Sequence, residues 1–437
     1  MKKALLAAGL SAAVALTAAG CSSGSDDGGD AGGAQKVTFL THWGPDQVAM
    51  LEAAADKFSK ENPDISVEVQ AVPFANLLST LRTQGSSPDG PTIAGIYDAW
   101  LPELVRDKLA APAPDDVSSE VTENWPEAVS GPASSDGDVY GVPNEVDLYQ
   151  LNYNKALFDK AGVSEPPADW DALREDAAAL SGDGAQGIGF ITGWNSGVVH
   201  PFLSLLASNG GTFLNEEGTA SNLTSKEAIE TAELYESLVK SGATDPAMSA
   251  ANANTTGPYL DNFVNAKTGM IIMANWWQSS LKDGMGDAFD DVVTAPIPMG
   301  PSGSESSSIS YSWMTMVNGK ADDAKQKAAW KFLSWLNGPK SGESGSSAMA
   351  DILVSMGILP SRTSDVEAHA DALESPFLSS YVSALDTATP FPTVLGAPAA
   401  TDALQRQLEA LLNGQVDAKT AMENAARDVD SALESAQ

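Results

Sequence analysis

Residues 37–69 of the chain read VTFLTHWGPDQVAMLEAAADKFSKENPDISVEV. The apolar run at residues 37–41 predicts a short strand, and apolar residues at helical spacing over 46–60 predict a helix. Asn62-Pro63 ends that helix, and the alternation over 65–69 predicts a second strand. This stretch therefore predicts a β-α-β unit.

The residues that follow continue the same rhythm. A helix is predicted over 77–83, a turn rich in Gly, Ser and Pro over 85–91, and a strand over 92–97. Strands alternating with helices are typical of a mostly parallel sheet flanked by helices on both faces. The whole chain has 437 residues, too many for one core, so we expect an α/β protein of two domains.

Further elements are predicted from the same periodicities. Thr224-Ser225-Lys226-Glu227 matches a capping box and opens a helix. Strands are predicted over 146–152, 269–274, 292–296 and 309–317, and helices over 155–161, 170–180, 400–412 and 418–433.

The N-terminus predicts export. Lys2 and Lys3 precede an apolar run that is shorter than the roughly 20 residues that a membrane span needs, which indicates a signal peptide over residues 1–20. Ala19-Gly20-Cys21 resembles a lipobox, although Ala18 stands where leucine is usual. We expect a lipid on Cys21, a flexible tether over 21–35, and attachment to the extracytoplasmic face of the membrane by that lipid alone.

Composition excludes several classes of function. A formal net charge of −34 disfavours binding to nucleic acid or to an anionic membrane surface. The single Cys excludes an intramolecular disulfide, and the three His lack metal-ligand spacing. Gly182–Gly187 has the glycine spacing of a dinucleotide fingerprint but follows a predicted helix, so we interpret it as a loop. No metal and no cofactor are expected.

Several short segments resemble, in order, the maltose-binding-protein-like group of extracellular solute-binding proteins. They span the mature chain at residues 37–43, 73–74, 91–93, 140–143, 151–158, 269–270, 275–276, 328–333 and 357–362. The resemblance implies a periplasmic-binding-protein-like fold of two α/β lobes joined by a hinge. It also implies a monomeric, non-enzymatic protein that delivers its solute to the permease of an ABC importer.

By the same resemblance, the chain crosses the hinge more than once. The first lobe takes residues 36–146 and 299–355, and the second takes residues 147–298 and 356–437. Ligands of open α/β sheets gather at the carboxyl ends of strands, where several aromatic and acidic residues recur in this sequence.

A sugar or oligosaccharide is the ligand that this residue set favours. A sugar ring offers a C–H face to an aromatic ring and hydroxyls to carboxylates and amides. The candidate binding residues are His42, Trp43, Asp98, Trp100, Glu145, Asp147, Trp194, Asn195, Trp276, Trp277, Tyr311, Trp313 and Arg362.

Two other functions stay open at this stage. A lipoprotein glycoside hydrolase needs only two carboxyl groups, and acids are plentiful in the chain. The same scaffold could instead bind a cationic solute, such as a polyamine or a peptide, through those acids.

Overall fold

The computed structural model describes residues 34–251 and 257–437. The predicted signal peptide, Cys21 and all but the last residues of the predicted tether lie outside the described residues.

The strands of the described residues are β1 (Gln35–Thr41), β2 (Ile65–Ala71), β3 (Ile93–Tyr97), β4 (Ser134–Ser135), β5 (Asp138–Val139), β6 (Gly141–Asn154), β7 (Gln186–Gly189), β8 (Thr268–Ala274), β9 (Val292–Ala295), β10 (Ile309–Val317), β11 (Leu359–Pro360) and β12 (Thr389–Pro390).

The helices of the described residues are α1 (Pro45–Glu61), α2 (Phe74–Gln84), α3 (Leu101–Arg106), α4 (Asp115–Asn124), α5 (Glu127–Ser130), α6 (Lys155–Ala161), α7 (Trp170–Leu180), α8 (Asn195–Ser208), α9 (Lys226–Lys240), α10 (Gly257–Val264), α11 (Gln278–Met285), α12 (Asp323–Leu336), α13 (Ala348–Ser355), α14 (Thr363–Ala368), α15 (Ala370–Leu373), α16 (Ser379–Ala384), α17 (Ala397–Leu412) and α18 (Ala418–Ala436).

A mixed sheet runs through the molecule in the order β2-β1-β3-β10-β6-β8-β7. The predicted parallel pairing is confirmed for β1 with β2 and β3, and β7 is parallel to β8. By contrast, β10 is antiparallel to both β3 and β6, and β6 is antiparallel to β8 and β9. The fold is therefore α/β, with a sheet flanked by helices.

Strand β6 joins the two halves of this sheet. Its first part, Gly141–Leu148, pairs with β10, and its second part, Tyr149–Asn154, pairs with β8 and β9. The sequence predicted a shorter strand, over residues 146–152. Proline is uncommon within paired strands because it lacks a donor for the ladder, yet Pro143 lies inside β6. The register of β10 against β6 shifts between Trp313 and Met314, and this irregularity lies beside Pro143.

Buried apolar residues form separate clusters in the described part of the chain. Two clusters draw their buried members from residues 37–142 and 314–358. Apart from Ala99, the buried members of the third cluster come from residues 148–311 and 359–433. The clusters thus follow different stretches of the sequence.

Helix α9 shows a small correction to the predicted cap. The hydroxyl of Ser225, not Thr224, accepts a hydrogen bond from the backbone N–H of Ala228 at 3.2 Å. The helix therefore begins at Lys226, one residue later than a box of Thr224 and Glu227 requires.

No helix of the described residues is long and apolar enough to cross a membrane. In the same residues, no group of three or more His, Cys, Asp or Glu side chains is positioned to hold a metal ion.

Candidate ligand-binding cleft

A cleft of about 250 Å³ lies where the carboxyl ends of β1 and β3 approach β6 and β10. His42 and Trp43 directly follow β1, and Tyr97 is the last residue of β3. Parallel neighbours end at the same edge of a sheet, which is where ligands of open α/β sheets bind. All three side chains line the cleft.

Strands β6 and β10 supply the floor of the cleft. Side chains of a strand alternate between its faces, so Glu145, Asp147 and Tyr149 share one face of β6, and Tyr311 and Trp313 share one face of β10. The register sets Tyr311 opposite Asp147 and Trp313 opposite Glu145. The five side chains all line the cleft.

The other wall comes from α8 and from the turn after β8. Trp194 is the residue before α8, and His200 lies within it. Trp276 lies in the 3-10 turn Asn275–Trp277, and its indole Nε1 donates to the hydroxyl of Tyr311 at 2.7 Å. This hydrogen bond fixes the orientation of the Trp276 ring against the floor.

Two carboxyl groups of the cleft are buried against one another. Burial raises the pKa of Glu145 well above its usual range, and its neighbour Asp147 raises it further. Burial likewise raises the pKa of Asp147, while Asn275 donates from Nδ2 to its Oδ1 at 2.8 Å and opposes that shift. Both shifts favour the protonated forms, so near neutral pH the pair carries less than two charges.

Because Glu145 and Asp147 have raised pKa values, we expect the stability of the fold to depend on pH. The raised pKa values mean that the folded protein holds protons that the unfolded chain has released. The free energy of unfolding should therefore fall as pH rises from about 4 through the folded-state pKa values, by up to about 1.4 kcal/mol per pH unit for each proton held. Glu145→Gln keeps a donor toward Asp147 but removes one titrating group. The free energy of unfolding of this variant should therefore fall less steeply as pH rises.

Urea unfolding of both proteins from about pH 5 to about pH 9 measures this difference, and groups common to both proteins cancel in it. Equal slopes in the two proteins would show that Glu145 titrates normally in the fold.

The histidines of the cleft are neutral near pH 7. Burial lowers the pKa of His42 to about 4 and that of His200 to about 3. The Nε2 atom of His200 shares a hydrogen bond of 3.2 Å with the hydroxyl of Tyr97. Within the described residues, Nδ1 of both histidines and Nε1 of Trp194 have no hydrogen-bond partner although they are buried.

The sequence profile described as bacterial extracellular solute-binding protein matches residues 44–343. The chain belongs to this family. A binding protein of Brucella abortus (strain 2308) is 30% identical over 65% of this chain and 68% of its own length. The arabinooligosaccharide-binding protein of Halalkalibacterium halodurans is 24% identical over 69% of this chain and 67% of its own.

A solved structure shows the same fold. The GacH receptor of Streptomyces glaucescens superimposes with a TM-score of 0.77 and 21% identity, covering 92% of this chain and 99% of the receptor. Its structures include the unliganded form and complexes with acarbose and an acarbose homolog.

In this solute-binding protein, most residues selected from the sequence meet in one place. The cleft brings together His42, Trp43, Glu145, Asp147, Trp194, Trp276, Tyr311 and Trp313. Two more of the selected residues, Trp100 and Asn195, line a neighbouring cavity of about 450 Å³.

Three selected residues lie instead in the packed interior of the solute-binding protein. The carboxylate of Asp98 accepts from the backbone N–H of Ser312 at 2.7 Å and from that of Ala99 at 2.6 Å. The ring of Trp277 is 2% exposed and belongs to a hydrophobic core. These contacts hold both side chains away from the cleft.

Arg362 is the third selected residue that lies in the packed interior. It forms an ion pair with Glu120 at 3.3 Å and lies over the ring of Trp125 at 5.2 Å. It also donates to the backbone carbonyl of Asn337. Its guanidinium group therefore joins elements of the fold and does not face the cleft.

Sequence reasoning missed ten residues that line the cleft, and the four of them that carry rings are Phe74, Tyr97, Tyr149 and His200. Alternation along β6 could have identified Tyr149, because it lies two residues after Asp147. Tyr97 ends a predicted strand, and Phe74 follows one. No local signal marks His200, which lies in the apolar helix α8.

Proposed function

We propose that this protein captures a sugar or oligosaccharide in the cleft and delivers it to the permease of an ABC importer. The observation that carries the proposal is one cleft in which tryptophan and tyrosine rings surround two carboxyl groups. Rings can cover the C–H faces of a sugar, and the polar atoms can bind its hydroxyls.

Relatives support a saccharide as the ligand. The Halalkalibacterium relative is named for arabinooligosaccharides, and the Streptomyces receptor was solved with acarbose. Affinity also needs both kinds of residue. Stacking over about 100 Å² contributes only about 2.5 kcal/mol, against about 8 kcal/mol for a micromolar ligand.

The geometry of the carboxyl groups favours binding over glycoside hydrolysis. The catalytic carboxyl groups of a glycosidase flank the scissile bond. Glu145 and Asp147 lie two residues apart on one face of β6, so both carboxyl groups reach the cleft from the same side. We therefore propose that they bind hydroxyls and do not cleave the ligand.

A cationic solute is less well matched. Burial raises the pKa of both carboxyl groups, which reduces the negative charge that would attract a polyamine, and aromatic rings make up much of the surrounding wall. Strong dependence of affinity on salt would distinguish a cationic ligand from a neutral sugar.

We also propose that binding closes two lobes around the ligand, with residues 36–146 and 299–355 in one and 147–298 and 356–437 in the other. The separation of the buried clusters and the passage of β6 between the two halves of the sheet support this division. A lipid on Cys21 would anchor the protein outside the cytoplasm, after removal of residues 1–20.

A thermal-shift screen of residues 35–437 tests the ligand class. A ligand at about a hundred times its dissociation constant should add about 2.7 kcal/mol to the free energy of unfolding. The compounds in the screen are mono- and oligosaccharides, with polyamines and peptides for comparison. A shift from polyamines or peptides alone would overturn the saccharide, and loss of the sugar during incubation would indicate an enzyme.

Acidic sugars should bind poorly. Among the described residues that line the cleft, none is Lys or Arg, and the charged groups are carboxyls. Two like charges at about 4 Å repel by about 4 kcal/mol at an effective dielectric constant of about 20. A saccharide that ends in glucuronate should therefore bind at least about tenfold more weakly than its glucose counterpart. Calorimetry at low and high salt measures the difference, and equal affinities would contradict it.

A further inference from the structure

The side chain of Asn275 lies in the interior beside the floor of the cleft. Asn275 directly follows β8, and 0% of its surface is exposed. It is not among the residues that line the cleft, although its neighbour Trp276 is. Asn275 can therefore act on the cleft only through the groups that it contacts.

Three hydrogen bonds fix the orientation of the Asn275 amide. Its Oδ1 accepts from the backbone N–H of Leu148 at 3.1 Å, and its Nδ2 donates to the backbone carbonyl of Gly357 at 3.2 Å. An asparagine side chain has one carbonyl oxygen and two N–H donors. Because Leu148 holds the oxygen and Gly357 takes one N–H, the other N–H is aimed at Oδ1 of Asp147, which lies 2.8 Å from Nδ2.

Gly357 allows the close approach that this arrangement needs. Its φ of +82° lies in the left-handed region, which favours glycine. A Cβ at this position would lie 2.7 Å from the side chain of Gln278 and 3.3 Å from the backbone oxygen of Asn275, so a larger residue would displace the segment. Met356 and Ile358, on either side of Gly357, line the cleft. The Asn275 amide therefore lies where this wall of the cleft meets β6.

The hydrogen bond from Asn275 affects how Asp147 can meet a ligand. Burial raises the pKa of Asp147, and the N–H of Asn275 opposes that shift. An oxygen that accepts from an N–H carries no proton of its own, so this contact favours Asp147 as an acceptor. Among the described residues that line the cleft, none is Lys or Arg, so no cation of the cleft takes this part. The other titratable groups that interact electrostatically with Asp147 are Glu145 on β6, Asp98 after β3, and the phenols of Tyr97, Tyr149 and Tyr311.

We propose that Asn275 is a positioning residue of the cleft, which holds the carboxyl group of Asp147 in place as an acceptor for a hydroxyl of the ligand. Asn275 does not touch the ligand itself. The contact forms only where β6, the turn after β8 and the segment before β11 meet. This inference rests on the saccharide function proposed above.

A double-substitution cycle measured by calorimetry tests the proposal. The probes are the neutral mono-, di- and trisaccharides of glucose, arabinose, galactose, xylose and N-acetylglucosamine. In the series that binds, Asn275→Ala should raise the dissociation constant at least about tenfold, equal to about 1.4 kcal/mol. In an Asp147→Ala protein the same substitution should change it by less than about threefold, because the group through which Asn275 acts is gone. Equal factors in the two backgrounds would overturn the proposal.

Asn318→Ala is the matched control. Asn318 is 1% exposed and makes the same pattern of hydrogen bonds in another part of the molecule. Its Nδ2 donates to the backbone carbonyls of Gly85 and Pro91, and its Oδ1 accepts from the backbone N–H of Lys320. The substitution should lower stability and leave the dissociation constant unchanged.

Asn275→Asp gives a second readout, which a purely structural role would not move. The new carboxyl group can still accept from Leu148, but when it is ionised it has no proton to donate to Asp147. The loss of affinity relative to the unsubstituted protein should be large near about pH 7.5 and smaller near about pH 5, where a protonated carboxyl group can donate again. Asn318→Asp should show no such trend. A loss in Asn275→Asp that does not vary with pH would contradict the proposed role.

The outcomes separate the two proposals. Loss of folding in both Asn275 variants would assign this residue to the fold and overturn its role in positioning, while the saccharide function would stand. Failure of every sugar to bind the unsubstituted protein would overturn the saccharide function itself.

Discussion

Replacing Trp276 with alanine should weaken saccharide binding by about 60-fold. The ring lies in the wall of the cleft and is oriented by its hydrogen bond to Tyr311. Loss of about 100 Å² of apolar contact at roughly 25 cal/mol/Å² removes about 2.5 kcal/mol, and each 1.4 kcal/mol is about a tenfold change in the dissociation constant. Calorimetric titration with the sugar identified by the screen measures the effect.

Trp335→Ala provides a matched control. This tryptophan lies on α12 and packs against Phe58 and Phe332, and its Nε1 donates a hydrogen bond to Glu61. It should lower stability without changing affinity. An unchanged dissociation constant for a folded Trp276→Ala protein would remove that ring from the proposed site.

Replacing Asp147 with alanine should weaken binding by about 30-fold or more. A hydrogen bond to a charged acceptor contributes about 1.5–3 kcal/mol, and loss of about 2 kcal/mol corresponds to about 30-fold. The change also leaves the buried amide of Asn275 without the acceptor that it now has at 2.8 Å. Asp147→Asn, which keeps an acceptor oxygen, should lose less affinity than Asp147→Ala.

Asp365→Asn is the control for this substitution. Asp365 is also buried, at 3% exposed, but it accepts from the backbone N–H and the hydroxyl of Ser347 in another part of the molecule. We expect lower stability and an unchanged dissociation constant. Dissociation constants are compared at a temperature at which each variant is folded, as judged by circular dichroism. Equal affinities of Asp147→Ala and the unsubstituted protein would show that this carboxyl group does not bind ligand.

Much of the fold could be predicted because its signals are local. The strand predicted over residues 309–317 is β10, with the same ends, and the helix predicted over 170–180 is α7. Alternation with period 2 and apolar spacing near 3.6 arise from the geometry of each element alone. The length of β6 could not be predicted in this way, because the pairing of β10 accommodates Pro143.

The sequence predicted which types of residue would form the candidate site, but not which individual residues line it. Trp276 and Trp277 are adjacent and chemically identical, yet Trp276 lines the cleft and Trp277 is in the core. Asp98 and Asp147 are both buried carboxyls, but only Asp147 reaches the cleft, because backbone N–H groups hold Asp98 in the interior.

From the sequence alone one can predict an α/β chain with helices and strands in a given order, a strongly acidic balance, and aromatic and acidic residues at the ends of strands. Which of these residues share a cavity depends on the tertiary structure. Tyr97 and His200 share a hydrogen bond although more than a hundred residues of sequence separate them. Glu145 lies opposite Trp313, and Asp147 opposite Tyr311, only because of the register between β6 and β10. Such contacts depend on long-range pairing and packing, which the local periodicity of a sequence does not encode.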